Sequence, residues 1–303
     1  MIIRALTALV FLAFAAVSQA ATLKEGPLSA TVPEAVGEGD PFLVEVRLDN
    51  QVEKVTVEWL GKAVDVTMAK REGAFRGEVL LGAGLGCPHG EQTIVVEAVR
   101  PNRRELVLGK IRVDAVEFPE QRLKLPPKMV TPSKEDSARI KREQEMITKA
   151  LSEVSPRRFW SFPFARPVPG DVTSAFGLRR VLNGQPRSPH SGLDLDGKTG
   201  DAVAAANQGK VILVGDFYFN GKSVFVDHGQ GVISMYFHLS RVDVSLGQHV
   251  ERGHQVGQVG ASGRATGPHL HFGMKILGQA VDPTPLFTAG SAFAQGRGAK
   301  GGS

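Results

Sequence analysis

From residue 189 to residue 276 the chain never runs far without a glycine. Short runs rich in apolar and β-branched residues occupy 203–205, 210–214, 223–227, 232–238, 249–250, 255–259 and 270–276. Glycines at 192, 200, 209, 221, 229, 231, 247, 253, 257, 260, 263, 267 and 273 separate or end these runs. Short β runs with such punctuation predict tightly turned antiparallel sheet.

Residues 21–117 obey a similar rule. Phe42, Val44, Val46 and Leu48 alternate with polar neighbours, Val55, Val57 and Trp59 do so after a turn, and Val64, Val66 and Met68 follow Gly61 and Lys62. With further runs at 77–81, 93–99, 105–108 and 111–116, the pattern predicts a small Ig-like β-sandwich. Nothing in it looks catalytic. Cys87 and His89 share a Gly-rich loop, but a structural zinc site wants four ligands, so a plain loop is the better reading.

Between these β-rich stretches the sequence changes character. Residues 118–132 are proline-rich and aperiodic and read as an extended linker. Ser133 is placed to cap a helix, with Glu135 and Asp136 in the first turn where the helix dipole favours acids. Ile140, Ile147, Leu151 and Val154 fall on one face, and Glu135 with Arg139 and Glu145 with Lys149 have the spacing of ion pairs. A connecting helix of about twenty residues follows, too short in its apolar pattern for a coiled-coil partner.

At the N-terminus, Arg4, an apolar run over 5–17 and the small residues of Ser18-Gln19-Ala20 have the layout of a signal peptide cleaved after Ala20. The apolar run falls short of the roughly 20 residues of a membrane span, and no later segment approaches that length. The expected organisation is mostly β: signal peptide 1–20, β-sandwich 21–117, linker and connecting helix 118–155, a second antiparallel β domain over 156–288, and a small, polar, disordered tail 289–303. The single cysteine, Cys87, excludes an internal disulfide. A net charge of +5 favours weak attraction to polyanions such as a cell-wall matrix, while the lack of basic clusters interleaved with aromatics argues against nucleic acid.

Of the eight histidines, seven lie between Pro189 and Phe272. Three groups hold the chemistry: Pro189-His190-Ser191-Gly192-Leu193-Asp194, Tyr236-Phe237-His238-Leu239 and Gly267-Pro268-His269-Leu270-His271-Phe272. On a fully extended strand His190 and Asp194 would stand about 13 Å apart, so Gly192 is expected to turn the chain and bring both to one ion. His269 and His271, two apart on a strand, share a face and can converge on one site, and Tyr236 and His238 are expected to share a face likewise. Three protein ligands plus water is the arrangement of catalytic zinc, and two further histidines would serve proton transfer and oxyanion stabilisation. His89, His228, His249 and His254 are read as structural.

Ser174-Ala175-Phe176-Gly177-Leu178-Arg179, the His-x-x-x-Asp of His190 and Asp194, the run 231–239 ending in Tyr-x-His-Leu, and Thr266-Gly267-Pro268-His269-Leu270-His271-Phe272 together resemble the lysostaphin and LytM-like zinc endopeptidase family over residues 168–287. The upstream β domain and helix are similar to the layout of exported bacterial members. The resemblance implies that His190, Asp194 and His271 hold one zinc ion and that His238 and His269 flank the water, with their division of labour left open. It also implies a peptidoglycan endopeptidase, located in the periplasm or secreted, with a D-alanyl to meso-diaminopimelate cross-link as the preferred bond. The alternatives are a catalytically silent wall-binding relative or activator of another hydrolase, and a structural β module similar to lipoyl and biotinyl carriers, which does not require the His and Asp set. The N-terminal half is a candidate for intramolecular regulation by covering the cleft, with the helix as hinge.

Overall fold

The computed structural model describes residues 20–124 and 132–288. Residues 1–19 of the expected signal peptide, the tail from 289 and residues 125–131 of the expected linker lie outside the described residues. The described chain is mostly β, and none of its helices is long and apolar enough to cross a membrane.

The first ten strands form two five-stranded sheets. One has the order Ala20–Glu25, Leu28–Pro33, Pro41–Leu48, Ala74–Gly82, Ala69–Arg71; the other has Ala35–Gly37, Arg103–Asp114, Gly90–Arg100, Lys54–Trp59, Lys62–Asp65. Alternation sets their inner faces, for Phe42, Val44, Val46 and Leu48 in one sheet and Val55, Val57 and Trp59 in the other are all buried. Trp59 bridges the sheets: its ring meets Phe42 edge-on at 5.2 Å and its Nε1 donates to Gly82 O at 2.9 Å. The runs expected separately at 105–108 and 111–116 are one strand, Arg103–Asp114. Gly109 does not turn the chain there but admits Leu23, which an added Cβ would approach to 2.3 Å.

The rest of the chain is organised by an eight-stranded sheet. Its order is Val172–Ser174, Gly192–Asp196, His269–Ile276, Val232–Leu239, Gly221–Asp227, Gly209–Phe217, His249–Val250, with Gln279–Val281 also paired to His269–Ile276. Leu193, Leu195, Val224, Val226, Tyr236, Leu270 and Phe272 join the main core on one face. That core continues into the N-terminal sheets, where Gly82 leaves room for Val281, 2.5 Å from the position a Cβ would take. Phe217, Phe225, Ile233 and Met235 form a smaller cluster on the other face.

The long helix, Lys134–Ser152, covers that smaller cluster with Ile147 and Leu151. Ser133 caps it, its Oγ accepting from Asp136 N at 3.0 Å. Two expectations fail here. Arg139 pairs with Glu143 at 2.6 Å rather than with Glu135, because Glu143 also accepts from Tyr218 N and Arg139 donates to Asp216 O, so both side chains face the sheet. The helix ends at Ser152, leaving Val154 beyond it and exposed. The expected linker also contains a strand: Glu120–Leu123 pairs in parallel with Arg179–Leu182, a backbone ladder that needs no apolar pattern.

His228 is structural, as its sequence context suggested. Fully buried, it has Nδ1 2.8 Å from Gln208 O and Nε2 2.8 Å from Ser234 Oγ, and Ser234 in turn meets Tyr236 Oη. Burial pushes its pKa down to about 4, outweighing the bond to Gln208. An unfolded histidine titrates near 6.5, so between about pH 6.5 and pH 4 the unfolded chain binds more protons, and this residue costs about 3 kcal/mol of stability as pH falls through that window. Denaturant unfolding from pH 7.5 to 4.5 checks this, since a His228→Gln variant is expected to lose that part of the pH slope.

Candidate metal centre and cleft

Strands Gly192–Asp196 and His269–Ile276 are antiparallel neighbours, with Asp194 directly opposite His271 and Asp196 opposite His269. Leu193, Leu195 and Leu270 point into the core, so alternation turns Asp194, His269 and His271 to the other face. His190 arrives from just before its strand. Its backbone N donates to Leu178 O at 2.9 Å, its carbonyl accepts from Gly177 N, and its Nδ1 donates to Ala175 O at 2.8 Å. With the proton on Nδ1, Nε2 carries a bare lone pair toward the site.

Three donor atoms converge. His190 Nε2, His271 Nδ1 and Asp194 Oδ1 lie 2.9 Å from one another in each pairing. A carboxylate oxygen and two imidazole lone pairs cannot all be satisfied by protons so placed, whereas a tetrahedral ion with ligands at about 2.0–2.2 Å would hold them about 3.3–3.6 Å apart, a few tenths of an ångström wider than here. The residues therefore fit a small divalent cation. The other carboxylate oxygen is taken: Asp194 Oδ2 accepts from Arg180 at 2.8 Å, which fixes Oδ1 toward the centre. Burial alone would raise the Asp194 pKa, but without an ion the adjoining His190 and His271 rings outweigh it whenever they carry protons toward Oδ1, and hold the carboxyl well below the usual carboxylate range. Burial, ahead of its neighbours' charges, lowers that of His271.

Gly192 does not turn the chain as expected. It opens the strand without a left-handed φ, and its use is close approach, since a Cβ there would meet Phe272 O at 2.5 Å and His271 Nε2 at 2.8 Å. The turn that returns His190 lies upstream, at Gly177.

Two more histidines complete the surround. His238 Nδ1 donates to Ser262 O and His269 Nδ1 to Gly267 O, each at 2.8 Å, so both present bare Nε2 atoms. Their ring centroids are 4.9 Å apart, and His269 Nε2 is 3.9 Å from Asp194 Oδ1. Burial first, then the neighbouring His271 and His269, push the His238 pKa down to about 3, so the ring is neutral.

His238 reaches the site against simple alternation. Lys222 pairs with Leu239 and Val224 with Tyr236, so one extra residue bulges from the strand and His238 takes φ +64°. Phe237 and His238 both line the cleft, and Phe237 stacks on His271 with rings 7° from parallel and 5.3 Å apart. Tyr236 does not share the face of His238. It is wholly buried on the core side, its hydroxyl accepting from Ala206 N at 2.7 Å.

These groups line an open cleft of about 740 Å³. Arg180, which the sequence reading passed over, is placed here by the Ser174–Arg180 segment, while Arg179 turns away to Phe118 O. Of the other histidines, His89 pairs with Glu38 at 2.9 Å, His249 packs its ring on Phe159, and His254 sits 3.5 Å from Gln248. Cys87 is buried, and burial followed by Glu38 pushes its thiol up to about 11. Among the described residues only His190, Asp194 and His271 group as metal ligands.

Residues 188–283 match the family described as peptidase family M23. A crystal structure from Pseudomonas aeruginosa, assigned by name to peptidase M23, is 35% identical, covers 83% of this chain and 95% of its own, and superposes with a TM-score of 0.64. The chain belongs to peptidase family M23. Curated relatives include the peptidoglycan DD-endopeptidase ShyA of Vibrio cholerae, 35% identical over 112 residues, and the DD-carboxypeptidase/endopeptidase Mpg of Neisseria meningitidis, 36% identical over 115 residues. These alignments take in 37% and 38% of this chain, and it spans about a quarter (26%) of the length of each relative. The M23 match includes all five residues singled out from sequence, His190, Asp194, His238, His269 and His271.

Proposed function

We propose that this M23 chain is a zinc-dependent endopeptidase that hydrolyses the peptide cross-links of bacterial peptidoglycan. The observation that carries the reading is the triangle of mutually close lone pairs beside two bare imidazole Nε2 atoms in one cleft. His190, Asp194 and His271 would hold one zinc ion. When bound, zinc lowers the pKa of a coordinated water toward about 7 and polarises a carbonyl. Arg180 keeps the Asp194 carboxylate in place, and Phe237 holds the plane of His271. Of His238 and His269, one accepts the water's proton at Nε2 and the other supports charge developing on the carbonyl oxygen.

The substrate assignment draws on the names of the relatives, and the preferred bond is D-alanine to meso-diaminopimelate. Export to the periplasm through residues 1–20 agrees with such a substrate, and the basic balance of the chain agrees with an anionic wall. Digesting purified walls of several bacterial types tests the bond: soluble products are expected from directly cross-linked diaminopimelate walls, and release from glycine-bridged walls alone would overturn the assignment.

We further place the domains at 21–117, 118–155 and 156–288, and give the start of the 118–155 segment a bracing role. No residue from 20–117 lines the cleft, although Gln121 and Pro132 do, and Phe118 packs on Phe176 and fills the space beside Gly177, in the segment that seats His190 and Arg180. Phe118→Ala is expected to lower peptide release by about 10- to 100-fold with zinc content unchanged, because small misplacements of reacting groups have effects of that size. A rise in activity would favour self-inhibition instead.

A further inference from the structure

Three arginines, Arg180, Arg187 and Arg264, line the same cleft as the donor triangle. Two of them have protein acceptors: Arg180 donates to Asp194 and Ser174, and Arg187 to Gln185 Oε1 at 2.5 Å. Arg264 differs. Its guanidinium stacks on Phe219, with Cζ 4.3 Å from the ring centroid, and no described carboxylate contributes to its electrostatic surroundings. Burial, followed by the charges of Arg180 and Arg187, pushes its pKa down. A partly desolvated cation set among cations is costly unless an anion joins it.

The backbone holds this residue firmly. Arg264 N donates to Phe219 O at 2.9 Å, and Gly263, at φ +70°, packs so tightly that a Cβ would lie 2.3 Å from Gly221 N. Two residues earlier in the same turn, Ser262 O accepts from His238 Nδ1. One turn thus orients a site histidine and carries a guanidinium with no carboxylate partner among the described residues, so any group that Arg264 binds is set in register with the reacting atoms.

A guanidinium fork matches a carboxylate in shape and charge. In the cross-link named above, the carbon bearing the scissile nitrogen on the diaminopimelate side also bears a carboxylate. We propose that Arg264, with Arg187 beside it, binds this carboxylate and selects the leaving half of the cross-link. The inference rests on the peptidase reading and deepens it.

Calorimetry with the zinc-loaded full chain tests the subsite, using a cross-linked peptide whose scissile amide is replaced by an uncleavable ketomethylene, with that carboxylate either free or amidated. The wild type is expected to bind the free acid about 10- to 100-fold more tightly than the amide, Arg264→Gln to bind both weakly and alike, and Arg264→Lys to retain part of the preference. Equal binding of the two peptides by the wild type, or undiminished preference in Arg264→Gln, would overturn it. Cleavage of the corresponding native amides is followed separately. Preference in binding without cleavage by the wild type would sink the peptidase reading and leave the carboxylate subsite standing.

Discussion

His271→Ala is expected to abolish both zinc uptake and peptide release. His271 supplies one corner of the donor triangle, and its ring is also the surface on which Phe237 stacks. Removing it leaves a histidine and a carboxylate, too few protein ligands for a tight catalytic zinc site. The loss can be read without any substrate. At about 100 times its Kd a metal stabilises the folded wild type by about 2.7 kcal/mol, so added zinc should raise the melting temperature of the wild type and leave that of His271→Ala unmoved. Asp194→Ala should behave alike, with a further cost, since Arg180 would lose the carboxylate it now faces at 2.8 Å. Zinc-dependent stabilisation of either variant equal to that of the wild type would remove these residues from the ligand set.

His238→Ala and His269→Ala are expected to separate the two properties that the ligand variants lose together. Neither residue belongs to the triangle, so each variant should bind one zinc and keep the zinc-dependent rise in melting temperature. Release should fall by about 100- to 10,000-fold in each, the range associated with a positioned general acid or base. His238 has a second consequence. It sits at φ +64°, where asparagine is better tolerated than alanine, so His238→Asn should fold at least as stably as His238→Ala while remaining inactive. Zinc content and activity falling in parallel across all these variants would contradict the division between ligands and proton-transfer groups.

Much of the site was legible because β structure has a two-residue period. Once 270–276 is read as a strand, His269 and His271 must share a face, and the alternation of Leu193, Asp194 and Leu195 places the aspartate on the side away from the core. Register then decides contact, and that Asp194 falls opposite His271 was not available from local pattern. The error over Tyr236 has the same root: one bulged residue inverts the alternation, and Phe237 and His238 follow each other into the cleft.

Other features escaped because they depend on what crosses the site from elsewhere in the chain. Gly192 looked like a turn glycine, but the carbonyl of Phe272 and the ring of His271 forbid a side chain there. Nothing in Arg179-Arg180 distinguishes the arginine that meets Asp194 from the one that meets Phe118 O. The helix was recognisable from its cap and apolar stripe, yet Arg139 chose Glu143 over Glu135 because the sheet edge at Asp216 and Tyr218 supplied shared partners.

The most direct test is the zinc content of the purified chain, measured on the same preparation as soluble peptide release from diaminopimelate-type peptidoglycan, before and after chelation. One zinc per chain is expected, with release lost on chelation and restored by stoichiometric zinc. Full release from a chain free of zinc would contradict the assignment of His190, Asp194 and His271 as the centre of the chemistry.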